Sequence, residues 1–87
     1  MHLNDVVRAS DITFNEGVLR LAAVHGRVAE FRYAKSDSAP IEHRSFVPES
    51  VYTTRDGHVV IVGPDEDREG QYRSYRLDRI KGEVSIP

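Results

Sequence analysis

From residue 27 onward, turn-forming sequence interrupts the chain too often for a helix to develop. "SDSAP" (36–40), Pro48, "RDGH" (55–58) and "PDEDREGQ" (64–71) concentrate Pro, Gly, Asp and Ser, residues that punctuate rather than continue regular structure. The segments between them have strand length. "RVAEFRYAK" (27–35) alternates, with Ala29, Phe31 and Tyr33 on one side and Val28, Glu30 and Arg32 on the other. "EHRSFVPESVYTT" (42–54) is one long β segment interrupted by Pro48, which predicts a sheet edge or a bend where the chain changes neighbours. Asp-Gly in "RDGH" predicts a hairpin with a type I′ turn. "VVIVG" (59–63) is a β-branched run typical of a buried central strand. "YRSYRL" (72–77) and "EVSI" (83–86) complete the set.

The part before residue 27 reads differently. Thr13 and Glu16 form a capping box. Phe14, Val18, Leu21, Ala22 and Val24 follow at helical spacing, and Gly26 supplies a stop. This predicts one helix over 13–25, preceded by an N-terminal arm of residues 1–12. In that arm Leu3, Val6 and Val7 could form a short apolar face. One helix and five short strands over 27–86 predict a mainly β fold, a small SH3-like or Sm-like antiparallel barrel, in a single domain spanning 1–87.

Composition excludes several classes. Hydrophobic residues make up 39% of the 87 and charged residues 30%, a globular balance. No cysteine is present, so disulfides and thiolate metal sites are excluded, in keeping with a cytoplasmic location. No apolar run reaches the roughly 18 residues needed to span a bilayer, and no membrane association is expected. His2, His25, His43 and His58 lack metal-ligand spacing. No nucleophile triad, phosphate loop or paired-carboxylate motif is visible. No metal, no cofactor and no catalysis are therefore expected.

The net charge is −2, yet ten of the 12 basic residues are Arg, the side chain suited to bidentate recognition of phosphate or carboxylate. Charge is also segregated. "DEDRE" (65–69) holds four of the 14 acids, whereas 70–82 holds Arg73, Arg76, Arg79 and Lys81 against Asp78.

The order of these pieces resembles the WYL domain, a bacterial and phage module. The resemblance rests on "RVAEFRY" (27–33), Arg44 leading to Pro48, the hairpin at 55–58, the strand "VVIVG" and above all "RSYRLDRI" (73–80). It covers roughly residues 15–86. The family's Trp-Tyr-Leu is replaced by Val59, Val60 and Ile61. The two outer positions stay apolar, while Val60 removes a phenol that could hydrogen-bond or stack on a ligand. The resemblance implies an Sm-like barrel acting as a ligand-sensing or regulatory module, with anionic ligands such as single-stranded DNA or RNA, or a nucleotide, on a basic surface. It implies a domain standing alone or cut from a longer protein. The start at Met1 and the capping box favour the former.

The candidate ligand-binding residues are Arg44, Arg76, Arg73, Arg79, His43 and Val60. Strand parity puts Arg73 with Tyr75 and Leu77 on the core side, Arg73 at its rim, and sends Arg76 to the open face. Asp78 and Arg79 leave with a turn that Asp78 caps, and Asp78 could in addition pair with an arginine. Arg44 could clamp a phosphate together with Arg76, with His43 at the edge, or pair with Glu42 or Glu49. The arginines of 73–79 could equally be solvated ion pairs at the barrel end, which contribute little. Tyr33 and Tyr75 are expected in the core; Tyr52 and Tyr72 could stack bases or be surface residues. The alternative function is a protein-interaction module without nucleic acid, including self-association through sheet edges into a homo-oligomer.

Overall fold

A computed structural model describes the backbone of residues 3–87 and the side chains of residues 11–66 and 68–87. Helix α1 (Leu3–His25) is followed by strands β1 (Ala29–Tyr33), β2 (Glu42–Phe46), β3 (Ser50–Thr53), β4 (Val59–Asp65), β5 (Gln71–Arg76) and β6 (Ile80–Ser85). Short 3-10 turns at Glu66–Arg68 and Leu77–Arg79 flank β5.

The helix begins at Leu3, so the expected arm and the cap at Thr13 are both corrected: Thr13 lies in the helix interior. Of the expected helical arm residues, the side chains of Leu3, Val6 and Val7 fall outside the described set. The helix ends where expected. Gly26 has φ +61°, its N–H donates to the Ala23 carbonyl and the Arg27 N–H to that of Ala22, the paired bonds of a glycine C-terminal cap. The buried face is rotated from the predicted one. Asn15, Leu19 and Ala22 are buried, with Ile12 and Val18 packed beside them. Phe14, Leu21 and Val24 stay exposed. Apolar spacing alone offered two stripes, and the burial of Asn15 selects the one that does not look apolar in sequence. Its Nδ2 donates to the Gly82 carbonyl and its Oδ1 accepts from the Val84 N–H, both at 2.9 Å. The amide thereby fastens α1 to β6.

All strand pairs are antiparallel. β4 is central, as its β-branched run predicts. β5 lies along one side of it and β3 and β2 along the other, with β1 and then β6 beyond β2. The sheet curls into a half-barrel. The expected 42–54 segment is two strands, and the bend falls at buried Pro48, where the chain leaves β1 as its partner and continues along β4. Val47 and Glu49 donate to the carbonyls of Pro64 and Val62 across this corner. Gly63 is required there: a Cβ on it would stand 1.9 Å from the Val47 carbonyl oxygen. β5 and β6, at the two edges, are joined by the Leu77–Arg79 turn, and the Tyr33 hydroxyl accepts the Arg76 N–H at 3.1 Å.

Three local expectations change. The Asp-Gly hairpin is not type I′. Gly57 takes φ +88° while Asp56 does not enter the left-handed region, and Gly57 N–H donates to the Thr54 carbonyl. A type I turn followed by a left-handed glycine needs only one residue at positive φ. β4 runs on through Pro64 and Asp65, which pair with Tyr72 and Gln71, so the loop is shorter than 64–71. β6 starts at Ile80 rather than Glu83 because Ile80 already pairs with Tyr33.

The core contains Leu19, Ala22, Ala29, Phe31, Tyr33, Phe46, Ile61, Tyr75, Leu77, Ile80 and Val84. At its centre Phe31 meets Tyr33, Phe46 and Tyr75 edge to face, with ring centroids 5.3–6.1 Å apart, a favoured arrangement of ring quadrupoles.

Candidate functional site

Strand geometry places cations at the rim of this aromatic core. Side chains alternate along a strand with period two. Lys35 lies two residues past Tyr33, Arg44 two before Phe46, and Arg73 two before Tyr75. Arg44 and Arg73 therefore continue the core-facing rows of β2 and β5, and Lys35 follows just past the end of β1, where Ala34 is buried and Lys35 is exposed. The turn Glu66–Arg68 adds Arg68. Lys35, Arg44, Arg68 and Arg73 line one depression of about 100 Å³ together with Tyr33 and Tyr75. A neighbouring open depression of about 460 Å³ shares Arg44 and Arg68 and adds Glu69 and Gln71.

The cations here are poorly neutralised. Among the described residues, Lys35, Arg68 and Arg73 have no ion pair within 4.0 Å. Arg44 is only 11% exposed; one of its Nη atoms lies 3.4 Å from Glu42 and the other donates to the His43 carbonyl. Asp65 is fully buried and accepts the Tyr75 hydroxyl hydrogen bond. The Tyr75 phenol is pushed well above its ordinary pKa, first by burial and then by that bond to Asp65; nearby Arg44 and Arg73 act against the rise.

Arg76 and Arg79 line a different groove, about 650 Å³, between α1 and the Leu77–Arg79 turn, with Asp11, Asp37, Asp78 and Lys81. Its charges balance. The Arg76 fork is already engaged: Nε donates to Asp78 Oδ1 at 3.0 Å and Nη2 to Oδ2 at 2.6 Å. His58 Nδ1 stands 3.1 Å from Arg76 Nη2. The hydrogen bonds from Arg76 hold the Asp78 carboxyl below its usual range. The N-cap of the turn is Arg76, which makes no side-chain cap, and Asp78 lies inside the turn, so the expected cap by Asp78 is corrected while its pairing with an arginine is found.

Of the sequence candidates, the structure thus brings Arg44 and Arg73 together and places Arg76 and Arg79 elsewhere. The expected Arg44–Arg76 clamp is not the arrangement found. His43 lies on the outer face of β2, 3.5 Å from Glu30. Val60 is buried, opposite Tyr52 and Arg76 in register. Tyr33 and Tyr75 are in the core, while Tyr52 and Tyr72 are exposed, Tyr72 donating to Glu49. Sequence reasoning missed Lys35 and Arg68. Lys35 follows directly on the end of β1, the strand that carries core Tyr33, which was the one signal for it; Arg68 sits inside an acidic run and carries none. Among the described residues no three His, Asp or Glu side chains group to hold a metal ion, and no helix is long and apolar enough to cross a membrane.

The WYL domain family model matches residues 16–83. The chain belongs to the WYL domain family. Among solved structures it is similar to proteasome accessory factor B/C (PafBC) of Arthrobacter aurescens, with TM-score 0.75 and 19% identity over 86% of this chain. This WYL domain spans 11% of the length of that protein, and at this identity the likeness speaks for the fold. No curated protein matches the chain. Membership in the family points to a regulatory, ligand-sensing module.

Proposed function

We propose that this WYL domain is a non-catalytic sensor that binds an anionic ligand, single-stranded nucleic acid or a nucleotide, at the depression formed by Lys35, Arg44, Arg68 and Arg73. The observation that carries the reading is the convergence of four cations, three of them without an ion pair among the described residues, in a chain of net charge −2. Like charges held together cost free energy unless an anion joins them, and guanidinium forks match phosphate oxygens bidentately. Arg76 takes a lesser part, its fork being closed on Asp78.

Fluorescence-anisotropy titration of short single-stranded DNA and RNA at two salt concentrations tests it. Binding should weaken with salt, and Arg73→Glu should weaken it further and flatten the salt slope by about 0.7, the loss of one contact to a single strand. Arg55→Glu, at the exposed hairpin tip, should leave binding near that of the wild type. Absence of binding at low salt, or equal loss in both variants, would overturn the reading.

A second reading, docking to a partner protein, is favoured by one feature: the exposed apolar residues Phe14, Leu21 and Val24 on α1. Affinity capture from the host with wild type and Leu21→Glu tests it; recovery of identical proteins by both would count against it.

A further inference from the structure

Resting on the anionic-ligand reading, we infer that the group seated in the Lys35–Arg44–Arg68–Arg73 depression is a phosphomonoester, the terminal phosphate of a nucleotide or oligonucleotide, and not an internal phosphodiester. Three observations converge on this. The first is size. About 100 Å³ holds the volume of about three water molecules, enough for one small anionic group and well short of the roughly 300 Å³ from which pockets enclose whole ligands.

The second is shape. Tyr33 and Tyr75 line the depression and are 7% and 6% exposed, so it ends against the packed core. Against such a floor a terminal phosphate can turn three free oxygens inward, whereas an internal phosphodiester has two and keeps chain on both sides of itself along the open rim. The open depression that shares Arg44 and Arg68, with Glu69 and Gln71 beside them, lies where the rest of the nucleotide would leave.

The third is charge. A phosphomonoester carries about −1.5 to −2 at neutral pH, and a diester one negative charge. Four cations surround the depression, one of them, Arg44, only 11% exposed. Asp65, fully buried, accepts the Tyr75 hydroxyl hydrogen bond and is not among the residues lining the depression. Because the Arg44 side chain is largely removed from water, the additional charge counts for more beside it than on an open surface.

Internally labelled single-stranded DNA with a 5′ phosphate, a 3′ phosphate or neither, titrated by anisotropy, tests the inference and distinguishes the two ends. At least one phosphorylated strand should bind about tenfold tighter than the unphosphorylated one, a difference of about 1.4 kcal/mol. Inorganic phosphate should erase that advantage by competition. Lys35→Gln and Arg73→Gln, each checked for native circular dichroism, should lose the advantage, and Arg55→Gln should keep it. Equal affinity for all three strands, or an advantage that survives both pocket variants, would overturn the inference while leaving anion binding standing. Failure of every strand to bind at low salt would overturn both.

Discussion

Tyr75 does two jobs at the level of one residue. Its ring packs among Phe31, Tyr33 and Phe46, and its hydroxyl donates to buried Asp65. Tyr75→Phe keeps the ring and removes one hydrogen-bond donor from buried Asp65, so chemical denaturation should show a loss of about 1–3 kcal/mol. Loss below a few tenths would show that Asp65 is satisfied without it. Asp78 makes the complementary case for pH. Its pKa is depressed, first by hydrogen bonds from Arg76, and also by the charges of Arg76, His58 and Arg79 against partial desolvation. A carboxyl depressed in the folded state contributes stability above its unfolded pKa, about 4, and loses it as pH falls through the folded value. Asp78→Asn should therefore melt below the wild type at neutral pH, with the difference closing on acidification below about pH 4. A difference independent of pH would refute the assignment.

At the scale of the element, α1 shows why an apolar pattern does not by itself say which stripe is buried. Leu19 is fully buried and Leu21 is 54% exposed. Leu19→Ala should cost about 2–5 kcal/mol in urea unfolding, and Leu21→Ala about 0.5 or less; comparable losses would place the helix in the wrong rotation. The corner between β2 and β3 is equally specific. Gly63→Ala has no room beside the Val47 carbonyl, so either the β2–β4 crossing opens or the protein fails to fold. A soluble Gly63→Ala protein of wild-type melting temperature would rule out this close approach.

For the whole molecule, the half-barrel is held together by contacts between its ends. The 3-10 turn Leu77–Arg79 carries the chain from one sheet edge to the other, Tyr33 receives the Arg76 N–H, and Asn15 bridges to the carbonyl of Gly82 and the N–H of Val84 across 67 and 69 residues of sequence. Removing that amide strands two backbone groups. Asn15→Ala should lower stability by about 2–4 kcal/mol and, because the joint links helix to sheet, lower the far-ultraviolet and tyrosine near-ultraviolet unfolding midpoints together. Separate transitions would show that α1 is an independent unit.

The sequence by itself determined the order of elements, the bend at Pro48, the glycine stop at Gly26, the central place of β4 and the family, because turn residues, β-branched runs and the "RSYRLDRI" octapeptide act locally. Period-two parity also put Arg73 on the rim of the core face and sent Arg76 away from it. Only the tertiary structure decided three things: which stripe of α1 faces the sheet, that Arg76 is closed on Asp78, and that Arg44 has Lys35, Arg68 and Arg73 as companions. The first and third depend on groups far apart in sequence, so strand pairing sets which of them become neighbours; the second joins residues two apart, where the sequence left the choice of arginine open until the turn placed Arg76 against Asp78. Arg68 shows this most plainly: an arginine inside an acidic run joins a basic depression because β4 and β5 are paired beside it.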